Sequence, residues 1–264
     1  MDIKRVMVSS LVGLGVWAAA GTAFAECDDL PSWSELRAAL VQAVKDESSG
    51  LDFNMWGTLV DRDGTVCVVA FSGNNFTDQW LGSRIISAQK ANTANDFSLS
   101  SPLPSTVFPN GLALSTANLY SAVQPGGSLY GLQHSNPVDP TVAYAGKADN
   151  LGAANDPMVG KRVGGVNVFG GGLALYVKKQ SIGGVGVSGD TSCADHMIAW
   201  RLRHNLNLDQ LKGVGGVSGD PNRPDNIVYD ITPNPSGGTG NSAGGFGHPK
   251  CIRTGDQTTL PAVR

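Results

Sequence analysis

GGVNVFGGGLALYVKKQSIGGVGVSGDTSCADHMIAWRLRHNL, residues 164–206, decides how this chain is read. Three short apolar runs of β-type residues stand in it: Val166 to Phe169, Leu173 to Val177 and Ile182 to Val187. Gly170, Gly171 and Gly172 separate the first two, and Lys178 to Ser181 separate the second two. Glycine tolerates positive φ, so close turns between antiparallel strands are expected here. After Gly189 the period changes. Ala194, Met197, Ile198, Trp200, Leu202 and Leu206 fall at helical spacing. Asp190 or Ser192 is expected to cap that helix, with Asp195 completing a capping box behind Ser192. A strand therefore runs through the elbow Gly186-Val187-Ser188-Gly189-Asp190 into a helix N-terminus, where backbone N–H groups favour an anion.

Working outward, residues 32–48 read as a helix, with Ser32 and Glu35 as a capping box and Leu36, Leu40, Val41 and Val44 as its apolar stripe. Phe53 to Val60 and Thr65 to Phe71 read as strands joined by Asp61-Arg62-Asp63-Gly64, a hairpin turn signal. The carboxylates of that turn lack the spacing and terminal Glu of an EF-hand. Asp78 to Asp96 is a second helix, with Trp80, Leu81, Ile85, Ile86 and Ala94 on its expected buried side. Residues 98–110 form a Pro/Ser-rich loop, and Leu112 to Val123 a further short helix. Ser128 to Leu132 is a strand or a loop edge. The layers these elements make are α+β: an antiparallel meander of about five strands with helices packed on it.

The N-terminus is basic over Met1 to Arg5, apolar over Val6 to Ala20, and then carries the small-x-small site Ala23-Phe24-Ala25. That is the pattern of a secretory signal peptide, residues 1–25, and it implies a periplasmic or secreted product. All four cysteines, Cys27, Cys67, Cys193 and Cys251, follow the cleavage site. An oxidising compartment would make two disulfides of them, with three pairings open; Cys193–Cys251 is preferred because it would tie the tail to the rest. No C-x-x-C or C-x-x-C-H is present, which argues against covalent haem attachment and a thioredoxin-like site. With 19 Lys and Arg against 22 Asp and Glu, the net charge of −3 leaves no footprint for nucleic acid.

The motif GGVGVSGD followed by CADHMIAWRL resembles the signature of the GlcG/HbpS-like haem-binding family, which includes the C-terminal domain of PduO-type proteins. Leu59 to Gly64 looks like that family's strand-to-hairpin turn, and Ala88-Gln89-Lys90-Ala91-Asn92-Thr93-Ala94 like its KA-x-TA helix, with Phe97 following. The resemblance covers roughly Trp33 to Leu208. It implies a profilin-like sheet, a homo-oligomer and non-covalent binding of haem or a similar planar anionic ligand. Three segments are expected: the signal peptide, a GlcG/HbpS-like domain over 26–212 with an insertion at about 133–163, and an irregular Gly/Pro-rich extension over 213–264. The extension is expected to wrap the surface.

Haem needs an apolar slot and an axial donor. His134 and His196 are the candidate iron ligands; His196 and His204 project about 80° apart on one helix and cannot grip a metal together. His248, between glycine and proline in the tail, is expected to face solvent. Lys90, Thr93, Ser188 and Gly189 complete the expected ligand-binding set, with the Lys90 cation facing a carboxylate or propionate beside the elbow. The expected role is that of a carrier, sensor or accessory rather than a high-turnover enzyme. If there is chemistry, the resemblance implies haem degradation or peroxide handling. The alternative is a small-molecule enzyme or accessory subunit of an exported oxidoreductase pathway, with a hydroxy-acid carboxylate on Lys90 and the elbow. A third reading makes the insertion and tail an interaction surface over a closed pocket. A hydrolase is excluded at Ser188, because the G-x-S-x-G spacing is broken, and a dinucleotide site because Gly183 to Gly186 gives no G-x-G-x-x-G.

Overall fold

The computed structural model describes residues 26–238 and 240–264; the predicted signal peptide, 1–25, lies outside them. Helix α1, Trp33–Lys45, begins where the sequence places it: the Ser32 hydroxyl accepts from the Glu35 N–H and the Glu35 carboxylate accepts from the Ser32 N–H. Strands β1, Trp56–Asp61, and β2, Val66–Phe71, form the expected hairpin. Helix α2 spans Ser83–Asp96, and the short helices α3, Leu132–Ser135, and α4, Pro140–Ala143, lie in the polar segment that follows. Then come β3, Gly172–Val177, β4, Gln180–Ser188, and α5, Ser192–Asn205. A two-residue pair, β5 Ile231–Thr232 and β6 Asn241–Ser242, sits in the tail.

The main sheet has four antiparallel strands in the order β2-β1-β4-β3, not the expected five-strand meander. β1 is a central strand that pairs with β2 on one side and β4 on the other, so two hairpins are joined through β1 and β4. Val166 to Phe169 is not a strand. Its amides go elsewhere: Val166 N–H donates to the Asn136 carbonyl and Asn167 N–H to the Thr93 hydroxyl. Leu112 to Val123 holds two 3₁₀ turns rather than one helix, and Ser128 to Leu132 is turn running into α3.

Side chains alternate across the sheet, as a pleat requires. Leu59, Val185 and Val187 join the core under α1 and α5, with Leu36, Leu40, Ile198 and Ala199. Trp56 and Val60 join the core under α2, with Ala88 and Ala91. On the α2 side β4 offers Gly184 and Gly186 in place of side chains, and there the helix backbone lies almost on the strand. A Cβ on Gly186 would stand 1.9 Å from the Ser87 carbonyl oxygen, and one on Gly184 2.1 Å from that of Ala91. These glycines serve close helix-on-sheet contact. Gly186→Ala is therefore expected to cost about 2–3 kcal/mol by overpacking, read from chemical denaturation.

This contact also explains the face α2 buries. Ser83, Ser87, Lys90, Thr93 and Asn95 are buried beside its alanines, so the helix has no simple apolar stripe. Trp80 and Leu81, expected in the core, precede the helix and are 51% and 58% exposed.

The tail does not merely wrap the surface. Ile227, Leu260 and Val263 are core residues, and Asp225 is fully buried against Arg203 of α5. His248, expected in solvent, is 1% exposed. Two disulfides, Cys27–Cys67 and Cys193–Cys251, tie the N-terminal segment to β2 and the tail to α5.

Candidate functional site

The elbow between β4 and α5 brings Lys90, Ser188 and Gly189 together. Thr191 caps α5 by accepting from the Ala194 N–H at 3.2 Å, which corrects the expected cap at Asp190 or Ser192. Asp195 turns back on the elbow, its Oδ1 accepting from the amides of Gly189 and Asp190 at 3.1 and 2.9 Å. Asp190 in turn accepts from the Leu51 amide at 2.8 Å and the Phe53 amide at 3.2 Å.

Lys90 reaches this point from α2. Its Nζ donates to Asp195 Oδ2 at 2.6 Å and to the Val187 carbonyl at 3.0 Å, 4.7 Å from the centre of the Phe169 ring. Neither side chain of this ion pair touches solvent appreciably. Burial works against both charges, pushing the Lys90 ammonium down and the Asp195 carboxyl up to about 6, while each partner opposes the shift. The cation expected to meet a ligand carboxylate thus meets one supplied by the chain itself, and the elbow amides expected to hold an anion hold Asp195.

Ser188 is buried and its hydroxyl donates to that of Ser83 at 3.1 Å. Thr93 lies one turn beyond Lys90, fully buried, with its hydroxyl donating to the Gln89 carbonyl and accepting from the Asn167 amide. His196 faces the tail rather than the elbow. Its Nε2 sits 3.1 Å from Asn226 Oδ1 and 3.2 Å from the Ile227 amide nitrogen, and its Nδ1 has no partner. Nε2 either donates to Asn226 Oδ1 or accepts from the Ile227 N–H, and in both tautomers the ring is neutral. Burial favours that neutral form, lowering its pKa to about 4. His134 is exposed on α3 and shares no hydrogen bond with the others among the described residues.

An open cleft lies on the other flank of α2. It has a volume of about 620 Å³ and is bounded by Leu81 just before α2, by Ile85 and Gln89 of α2, and by the polar segment, including Val138, Tyr144 and Leu151. Arg84 builds the cleft rather than offering it a charge. Its Nε donates to Asp156 Oδ2 at 2.8 Å, its Nη2 pairs with Asp156 Oδ1, and its Nη1 donates to the Ala143 carbonyl at 3.0 Å. Asp156 also accepts from the Gly152 and Met158 amides. This buried knot pins the segment 143–158 to α2 and holds Tyr144, 73% exposed, at the cleft. Lys147 is exposed between the lining residues Gly146 and Ala148.

The cleft's size is that of a small-molecule or cofactor site. Among its lining residues only Tyr144 carries a side chain of the kinds that ligate haem iron, His, Met, Cys or Tyr. Sequence reasoning missed Tyr144 because it stands in a polar, proline-punctuated stretch without periodicity. Its one signal was an aromatic where the surroundings give no core to join.

Several solved structures are similar, including the following three. The Klebsiella pneumoniae protein ORFY aligns at 24% identity with a TM-score of 0.42, over 66% of this chain and 86% of its own. PduOC in its haem complex aligns at 24% identity and TM-score 0.42, over 66% and 91%. HbpS aligns at 15% identity and TM-score 0.41, over 73% and 97%. No curated protein matches the chain. The family model described as haem-degrading protein, HbpS-like, matches residues 34–202, which take in α1, the whole main sheet, α2 and most of α5. With well over half its length matched, the chain belongs to the HbpS-like family.

Proposed function

We propose that this protein binds haem non-covalently, as cargo or substrate, in the cleft between α2 and the segment 138–151. The observation that carries this is the cleft itself: about 620 Å³, walled by aliphatic side chains, with Tyr144 as its single iron donor. Membership of a family described by haem degradation supports the choice of ligand. Haem brings the iron chemistry. This chain's residues supply an apolar wall from Leu81, Ile85 and Val138, a phenol at Tyr144 and an exposed cation at Lys147 for the propionates.

Tyr144 takes the axial role here in preference to His196, whose nitrogen is held by the tail. Lys90, Thr93, Ser188 and Gly189 support the cleft from behind, as parts of the frame that seats α2 on the sheet. A carrier, sensor or accessory role in the periplasm or outside the cell fits two disulfides formed by all four cysteines. No described helix is long and apolar enough to cross a membrane. A hydroxy-acid site at Lys90 and the elbow has less support, because Asp195 holds both the cation and the amides.

Haemin titration of the purified protein tests this. The expected result is a saturable Soret shift at one haem per chain, weakened at least tenfold in Tyr144→Phe, a loss of about 1.4 kcal/mol. Ile85→Asp, which puts a charge on the apolar wall, is expected to weaken binding as well. No saturable shift overturns the reading. A shift unaffected by both substitutions and lost in His134→Ala moves the site out of the cleft.

A further inference from the structure

Around the Cys193–Cys251 bridge the chain assembles a donor set that the haem reading does not use. Cys193 lies in the first turn of α5 and is fully buried; Cys251 is half-buried in the tail. The two sulfurs and an imidazole nitrogen of His248 all lie within 4.8 Å of one another. Ser192 stands among them, its Oγ 3.1 Å from His248 Nε2 and 3.5 Å from Cys251 Sγ. Bonds of about 2.0–2.3 Å around a tetrahedral zinc give ligand-to-ligand edges of about 3.3–3.8 Å. The serine distances are already close to that range.

The imidazole is oriented as a ligand would be. Its Nδ1–H donates to the Pro249 carbonyl at 2.7 Å, which fixes the proton there and leaves Nε2 as a lone pair turned toward Ser192. A backbone carbonyl on the distal ring nitrogen is the usual outer partner of a metal-bound histidine. The ring is held by Tyr120, 4.9 Å away between ring centres, and by the His248 amide on the Val228 carbonyl at 2.8 Å. Cys251 Sγ also accepts from the Cys193 amide at 3.2 Å, at the N-terminus of a fourteen-residue helix. That position stabilises a thiolate. A structural disulfide alone requires neither the fixed histidine nor the serine beside it.

We propose that Cys193, Cys251 and His248, with Ser192 as fourth neighbour, form a zinc site whenever the bridge is reduced, and that disulfide formation expels the metal. The chemistry balances with a dithiol as the reductant. Two thiols reduce the Cys193–Cys251 bond, becoming a disulfide and leaving two cysteine thiols. Zn²⁺ then displaces the two thiol protons. In reverse, a two-electron oxidant joins the two thiolates and releases Zn²⁺. Sulfur and imidazole donors select zinc or another thiophilic ion over magnesium or calcium.

The test uses a Cys27→Ala/Cys67→Ala background, which removes the other cysteine pair and its neighbour Asp61 from the readout. That protein is reduced, freed of small thiols under anaerobic conditions and titrated with Co²⁺ as the spectroscopic probe. The expected result is one Co²⁺ per chain, with thiolate-to-metal absorbance in the near-ultraviolet and tetrahedral visible bands. Zn²⁺ should displace it, the oxidised protein should show none of it, and His248→Gln should weaken it at least tenfold. Absence of the near-ultraviolet band overturns the proposal, as does a band of equal strength in His248→Gln. Should reduction loosen the fold, the melting temperature of the reduced protein decides. Zn²⁺ must raise it in the parent and raise it less in His248→Gln, and equal or absent shifts overturn the site.

Discussion

Asp225→Ala is expected to destabilise this protein by about 3–5 kcal/mol, the cost of leaving one member of a buried ion pair without its partner. Arg203 and Asp225 are both fully buried, joined by Nη1 to Oδ2 at 2.6 Å and Nη2 to Oδ1 at 2.9 Å. Arg203 Nη1 also donates to the Ala174 carbonyl of β3, and its guanidinium lies 4.7 Å from the centre of the Trp200 ring. Remove the carboxylate and a guanidinium remains in the interior with one carbonyl for company. The double change Arg203→Met/Asp225→Leu should recover most of the loss, since apolar pairs of similar volume replace buried ion pairs at little cost. Urea denaturation followed by tryptophan fluorescence measures both. A loss below about 1 kcal/mol for Asp225→Ala would mean that the tail is not part of the cooperative unit. The same physics makes truncation after Lys212 a folding defect. It strips Arg203 of its counter-charge and takes Ile227, Leu260 and Val263 from the core.

Local chemistry was legible in the sequence; long-range pairing, apart from one disulfide, was not. The Ser32–Glu35 box, the Asp61 to Gly64 turn and the change of period at Gly189 each depend on residues a few positions apart, and each formed. The preferred Cys193–Cys251 bridge formed as well. The fifth strand failed for a physical reason. Val166 and Val168 have the composition of a strand, but they pack in a satellite cluster with Leu114, Leu119 and Val123 instead of completing a ladder. The glycines of β4 were read only as members of the β-type run Ile182 to Val187 and of the elbow after it. Nothing local says that two of them clear a path for a helix backbone.

The candidate site divides the same way. Lys90 and the elbow do meet, as the motif implied, yet the partner of Lys90 is Asp195, 105 positions away and read as a cap. The tail looked irregular because its composition is that of loops, and composition carries no information about Asp225 finding Arg203. Tyr144 was invisible for want of periodicity: its segment is pinned beside α2 where Arg84 and Asp156, 72 positions apart, close on each other. The proposed cleft and the frame behind it therefore depend on two knots of charge that no window of sequence contains.

Lys90→Met is expected to cost about 3–5 kcal/mol near neutral pH, and its pH dependence should identify the cause. Burial already raises the Asp195 carboxyl to about 6, against the pull of Lys90. Without that ammonium the folded-state value rises further. A raised value means that stability is fully present below the unfolded carboxyl's range and is lost as pH rises through the folded value. The Lys90→Met deficit should therefore be small near pH 4 and grow toward pH 8, by at most about 1.4 kcal/mol per pH unit. Asp195→Asn should slope the other way. Its amide oxygen still accepts from Gly189 and Asp190, but Lys90, lowered by burial even with its partner present, falls further. A lowered value gives stability above the unfolded lysine's range that is lost as pH falls, so the Asp195→Asn deficit should shrink toward alkaline pH. Combining the two removes both charges and should flatten the difference between them. Unfolding free energies at pH 4.5, 6, 7.5 and 9 decide the matter. Parallel curves for the two single variants would show that Lys90 and Asp195 are not the coupled charges that lock α2 to the elbow, and the frame behind the cleft would then have to be held by the glycine contact alone.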